Sequence, residues 1–277
     1  MTGPFGRQRG FALLIVLWVL AVLSLLGTQL VATARERTQV ARNLRDAALL
    51  DAAVDGAVQH AVFEMLRESG PLWDLNGAVH IIRIGTAAIS VRLEDEGGKV
   101  NPNIASADLL AAVLGQVGLD ARRAESLAAA IVDWREPDDG QPRPLGAKTP
   151  QYAAANRDYG PQGAPFMRLD ELGLVLGMTP EILTRLRPHL TVFTDADPDL
   201  TSHDPVVVAA LQQAAAGGGV DASGVSSRRG ISIAQVIVVA RGPNNTSLGR
   251  RAIVRTNARG TRHRYEILAS EYANPEP

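Results

Sequence analysis

Four acidic side chains close together in sequence, Asp133, Glu136, Asp138 and Asp139, lie where a helical pattern gives way to a loop rich in proline and glycine. Carboxylates grouped in this way suit calcium, a hard cation that takes about six to eight oxygen ligands. The competing reading is a solvated acidic loop. A second acidic run, Asp195-Ala196-Asp197-Pro198-Asp199, resembles the opening of an EF-hand loop. Leu200, however, stands where that loop needs glycine, and Val206 where it needs the closing glutamate. It reads as an exposed acidic turn.

Other chemistry is sparse. His60, His80, His189, His203 and His263 are scattered, without metal spacing or a nucleophile beside them. No nucleotide loop or catalytic motif is present, so no enzyme is expected. The absence of cysteine excludes disulfides and thiolate-bound metal. Leu114-Gly115-Gln116-Val117-Gly118, followed by Ala124, Ala130 and Arg135, resembles a helix-hairpin-helix motif, a module often used on DNA. Holding a phosphate backbone needs clustered Lys and Arg. The hairpin turn has none, and the chain is acidic from Glu94 to Asp199, so it reads as a helical packing motif with no nucleic-acid partner. From Arg228 to Arg264 every charge is arginine, including Arg228-Arg229 and Arg250-Arg251. These read as the solvent face of edge strands, where charge discourages unwanted pairing, or as a surface for an acidic partner. Asn244 and Asn245 match the short glycosylation sequon.

The elements that must position these residues begin with an apolar run. Behind Arg7, Arg9 and Gly10, no charge occurs from Phe11 to Ala34. The run is about 24 residues, enough to cross a hydrocarbon core as a helix. A basic leader ending in glycine before the apolar segment looks like the cleavage point of a type IV prepilin, with the leader cytoplasmic and the bulk outside. A plain signal anchor and a signal peptide cut after Ala32-Thr33-Ala34 are the alternatives. Val40, Leu44, Ala47, Val54, Val58, Ala61 and Met65 continue at helical spacing, and no proline intervenes before Pro71. One helix is therefore expected from Phe11 to about Arg67, apolar at 11–34 and amphipathic at 35–68.

Strand-like runs follow at Val79–Ile84 and around Ile89, Val91 and Leu93. Short helices are expected from Ser106, at Ala121–Trp134, at Leu169–Leu176 and at Pro180–Arg187. The composition at 213–230 reads as a flexible linker. Strands return at Ile231–Ala240, Arg251–Arg255 and His263–Ala269. Strands on both sides of a helical middle give an α+β class. A long N-terminal helix packs on an antiparallel sheet (69–94 and 231–272), with a large all-helical, SAM-like or helix-hairpin-helix-like insertion at 95–212. The polar stretches before LLAAVL and VVVAAL suggest a weak internal repeat.

The sequence resembles the protein K family of bacterial type II secretion systems, which are minor pseudopilins. The leader and anchor around Gly10-Phe11 carry the resemblance, as do Leu93 to Asn103 (LEDEGGKVNPN) and Ile131 to Asp138 (IVDWREPD) with Gly146-Ala147 and Tyr152 behind it. A fourth stretch runs from Leu169-Asp170-Glu171-Leu172 through Gly177-Met178-Thr179 to Leu190-Thr191-Val192. The resemblance implies a pilin-like fold, removal of leader 1–10 by prepilin peptidase and methylation at Phe11. It also implies an inner-membrane anchor, and a place at the tip of a periplasmic pseudopilus with other minor pseudopilins, there helping assembly and export of secreted substrates. Most pilins carry glutamate at the fifth mature position, where this chain has Ile15. A membrane carboxylate needs a partner, and Ile15 makes no such contact, which implies a first, tip position. Calcium near the Asp133 loop is implied as well. Two positions depart from the pattern: Glu136 replaces the usual aspartate, and Lys148 follows Gly146-Ala147 where glutamate is usual. A lysine there places a fixed positive charge among the carboxylates and weakens or replaces a metal. Two alternatives from other classes stand beside this one: a membrane-anchored DNA-binding or DNA-uptake protein, and a plain signal-anchored periplasmic metal-binding protein.

Overall fold

The computed structural model describes residues 9–67, 73–85, 87–137, 143–216, 232–242, 246–257 and 264–274; at 9, 10, 12 and 30–34 it describes the backbone alone. Helix α1 runs over Arg9–Leu66 without a break, as expected of a stretch with no proline and few β-branched clusters. Strands β1 (Asn76–Ile84) and β2 (Ala87–Asp95) form a hairpin. Six helices and two short 3₁₀ segments make up the described helical part: after α1 come α2 (Ala107–Gln116), α3 (Ala121–Arg135), α4 (Thr149–Ala154), a 3₁₀ segment at Leu169–Leu174, α5 (Pro180–Leu186), a second 3₁₀ segment at Arg187–His189, and α6 (Pro205–Ala216). Strands β3 (Ser232–Arg241), β4 (Ser247–Thr256) and β5 (Tyr265–Ala273) complete one five-stranded antiparallel sheet in the order β1-β2-β3-β4-β5.

Spatial order equals chain order, yet the helical middle separates β2 from β3. The two strands pair from Ala88↔Arg241 to Asp95↔Ala234. The helical section therefore leaves and re-enters the sheet at one end. Its first residues stay tied to that end, where Glu96 N and Gly97 N both donate to Ile233 O, at 2.9 and 3.2 Å.

Two separate cores result. In the first, Leu50, Ala53, Val54, Ala57, Val58, Ala61 and Val62 of α1 lie buried against Ile89, Val91 and Leu93 of β2, Val236, Val238 and Ala240 of β3, and Ala252 and Val254 of β4. The three- and four-residue spacing puts the α1 residues on one face. The alternation along each strand does the same for the sheet. In the second, α2, α3 and α6 pack around Leu109, Val113, Leu114, Ala128, Ile131, Val207 and Ala210. Ser106 caps α2 by accepting from Leu109 N at 3.1 Å. Asp204 caps α6 similarly, accepting from Val206 N at 2.9 Å.

Several expectations are adjusted. α6 continues to Ala216, four residues into the stretch read as a linker from 213, because Ala-rich sequence is helix-compatible as well as linker-like. β4 begins at Ser247, not Arg251. It is an interior strand flanked by β3 and β5, so its arginines do not decorate an edge. Arg250 crosses to α1 instead. Its guanidinium pairs with Asp51 at 2.8 Å and with Asp55, one helical turn apart, and lies 5.0 Å over the Tyr272 ring. Arg255 reaches the helical part, donating to Phe193 O at 3.2 Å and pairing with Asp195 at 3.3 Å.

Arg250→Ala is expected to lower stability by about 1–2 kcal/mol, since it removes two ion pairs and an aromatic stack from a half-covered seam. Arg251→Ala, which loses only a 3.6 Å pair between exposed side chains, should cost under about 0.5 kcal/mol. Urea unfolding of the two variants side by side checks this.

Candidate functional site

Two regions collect the residues singled out above. The first is the start of α1. Gly10 falls in the first helical turn, and the surroundings of its Cα lie outside the described side chains. Phe11 is 70 % exposed and Ile15 47 % exposed. Leu13, Leu14, Leu17, Trp18, Leu20, Leu23, Leu25 and Leu26 are exposed too, so this half of the helix touches no core of its own chain. Among the described residues no helix is long and apolar enough to cross a membrane. The described side chains of the expected 11–34 span are those at 11 and 13–29.

The second region is the base of the helical insertion, where distant stretches of sequence converge on the C-terminus of α3. Arg135 donates to Pro102 O at 2.5 Å and to Ala105 O at 2.9 Å. Asn101 donates to Thr194 O at 2.6 Å, and Asn103 exchanges two hydrogen bonds with the Phe166 backbone, at 2.7 and 2.9 Å. Trp134 stacks on Phe166 with ring centroids 6.2 Å apart. The fully buried Tyr152 hydroxyl accepts from Leu176 N at 2.9 Å. Burial pushes the Tyr152 phenol up to about 12, which keeps it neutral. All these residues lie in or beside the stretches that carry the resemblance, and here they form a structural knot.

Of the four candidate calcium ligands, the structure brings Asp133 and Glu136 together; Asp138 and Asp139 lie outside the described residues. Asp133 is 1 % exposed. Its carboxylate accepts from Arg143 N at 3.2 Å. Burial raises its pKa, against the opposing hydrogen bonds from the Arg143 and Ala147 backbone and the positive charge of Lys148. Glu136 chelates the Arg143 guanidinium at 2.5 and 2.7 Å. Among the described residues no group of three or more His, Asp or Glu side chains is arranged to hold a metal ion. Lys148 is 2 % exposed, and its ammonium donates to the carbonyls of Asp133, Glu136 and Pro137 at 3.1, 3.3 and 3.2 Å. Sequence reasoning missed Arg143 as a partner here; the signal was a cation seven residues past Glu136 in an otherwise acidic loop.

The remaining candidates are structural. Asp195 pairs with Arg255, and Asp199 accepts from Thr201 N at 2.8 Å. Asp197 is half-buried and its pKa is raised by that burial, so the 195–199 turn is less exposed than its composition suggests. His189 Nδ1 lies 2.6 Å from Asp204 Oδ2, a partner not visible in sequence. The Gly115–Gly118 turn joins α2 to α3, and Gly118 adopts φ +98°, which only glycine takes freely.

Comparison with known proteins agrees with this architecture. Residues 86–195 match the family model of type II secretion system (T2SS) protein K. The type II secretion system protein K of Klebsiella pneumoniae is 29 % identical over 212 residues, covering 68 % of this chain and 64 % of that protein. The match thus spans just under two thirds of the relative's length. Among solved structures, a chain of the GspK-GspI-GspJ complex from the enterotoxigenic Escherichia coli type 2 secretion system superposes with TM-score 0.61 at 16 % identity, over 86 % of this chain and 99 % of that one. The α+β fold is shared with that chain, and the resemblance read from the sequence motifs is borne out.

Gly146 packs where an added Cβ would collide with Asp133 Oδ2. Gly146→Ala is therefore expected to cost about 1–3 kcal/mol, measured as a drop in unfolding midpoint. A pH dependence also follows. At Asp204 burial works against ionisation, but the hydrogen bond and charge of His189, with the Val206 and Val207 N–H groups, outweigh it and lower the pKa. At Asp170 the Arg187 hydrogen bond chiefly lowers it. A lowered carboxylate stabilises the fold above its unfolded pKa, and that contribution is lost as pH falls through the folded value. The contributions of Asp204 and Asp170 should therefore be lost on acidification below the ordinary carboxylate range of about 4, whereas the raised carboxyls of Asp133 and Asp197 act in the opposite sense. The loss should be shallower in Asp204→Asn, compared by thermal unfolding across pH.

Proposed function

We propose that this chain, whose residues 86–195 carry the protein K domain of type II secretion systems, is a minor pseudopilin at the tip of a periplasmic pseudopilus. The observation that carries this reading is α1 itself. Only its last part, from Leu50, is buried under the sheet; Val40, Leu44 and Leu49 before it are exposed, and the first half leaves a continuous set of leucines, with Trp18, uncovered by its own chain. A helix so divided needs lipid before assembly and neighbouring helices afterwards. In this reading the first half is a single-pass inner-membrane anchor with the leader cytoplasmic and the bulk periplasmic.

The remaining parts of this reading come from the family resemblance and the sequence around Gly10 and Ile15. Prepilin peptidase removes residues 1–10 after Gly10, and Phe11 becomes the methylated amino terminus. Ile15 supplies no carboxylate to a subunit above it, and the helical insertion adds bulk at the head, so the chain starts a filament instead of extending one. Its partners are other minor pseudopilins; the relative in the GspK-GspI-GspJ complex supports that pairing by its assembly. The chain works as a scaffold in protein export, not as an enzyme and not on nucleic acid.

Mass spectrometry of the chain purified from its native host is expected to find methylated Phe11 as the first residue. A start at Arg35, or an intact leader in a host with the peptidase, would contradict processing. Co-purification should recover pseudopilin-like chains, whereas a plain metal-binding protein would bring none. Ile15→Glu is expected to move the protein from filament tips into shafts, scored by immunogold labelling; tip-only labelling would argue that the head alone fixes the position.

A further inference from the structure

The carbonyls that end α3 are the negative pole of a helix, and where they are covered they need donors, among which a cation is the most favourable. In this chain that cation is Lys148. Its three ammonium protons meet the Asp133, Glu136 and Pro137 carbonyls, with none left over. Next to it, the Asp133 carboxylate is turned toward the Arg143 backbone N–H, and Glu136 is held by the Arg143 guanidinium. Asp133 and Lys148 thereby close the loop from opposite signs: the anion takes its N–H groups and the cation takes its carbonyls. Two carboxylates face two fixed cations, so the described charges already balance.

The calcium implied by the family resemblance does not fit these residues. A calcium ion draws oxygens in to about 2.3–2.6 Å. The carbonyls here stand at 3.1–3.3 Å from a nitrogen, which is hydrogen-bond spacing. The Asp133 and Glu136 carboxylates are turned to N–H donors. Placing a divalent ion on those carbonyls would set it against a buried ammonium, a like-charge contact in a desolvated site.

We propose that Lys148 is a tethered cation that does in this chain the structural work of a bound calcium, so that the loop from α3 to α4 closes without divalent metal. The test is hydrogen exchange, read by mass spectrometry on peptides within 133–152 of the full-length chain in detergent. In the wild type, exchange of these peptides should be the same in millimolar calcium and in excess EGTA. Slower exchange with calcium would overturn the proposal. In Lys148→Met the same peptides should exchange about tenfold faster or more, since three carbonyls, that of Asp133 buried and the other two partly so, lose charge-assisted bonds. Protection equal to the wild type's would overturn it as well. Should Lys148→Met fail to fold, the wild-type comparison decides alone.

Discussion

The fold depends on burial of one alanine- and valine-lined stripe of α1 beneath the middle of the sheet. Ala53, Ala57 and Ala61 are small, so the helix lies close to the strands, and Val54, Val58 and Val62 fill the space between. β2, β3 and β4 each present alternating apolar residues to that stripe, which fixes their register, because a one-residue slip would turn the apolar set to solvent. β2 and β3 must meet under α1 although the helical section separates them in sequence. That section is therefore obliged to begin and end at the same end of the two strands, and it builds a second core of its own. The first half of α1, by contrast, has no sheet beneath it, and this asymmetry within one helix is what the functional reading rests on.

Cations organise the places where the hydrophobic pattern is silent. Arg250 ties β4 to α1, Arg255 ties β4 to the insertion, Arg135 holds the Pro102 and Ala105 carbonyls, and Lys148 holds those at the end of α3. A chain with no cysteine relies on such tethers in place of disulfides. The near-neutral net charge hides this arrangement, since acidic middle and basic end meet within one molecule.

Much of this was legible in the sequence, for identifiable reasons. The absence of proline before Pro71 and the helical spacing beyond Ala34 foretold α1, and β-branched alternation foretold β1 and β2. Ser106 and Pro180 marked helix starts through local chemistry that tertiary context did not disturb. What stayed hidden was long-range or marginal. α4 has only six residues and no apolar period to read. The end of α6 shares its alanines with linker composition. β4 was read as half its length because Gly249 and the arginines broke the apolar pattern. At the candidate site the acidic residues were visible, but the direction each carboxylate faces was not. Lys148 stood out as a misplaced charge, and only the fold shows which three carbonyls it reaches.

The claim on which everything else rests is that β2 and β3 are neighbours across the insertion, on the periplasmic side of the anchor. Glu94 and Gln235 lie directly opposite one another in that pairing. With no native cysteine to compete, Glu94→Cys combined with Gln235→Cys in intact cells reads both points at once. An intramolecular disulfide forming without added oxidant is the predicted result, since paired strands bring the two within bonding reach and an oxidising compartment closes the bond. Thiols that stay reduced in the folded, membrane-associated protein, or that link only between chains, would contradict it.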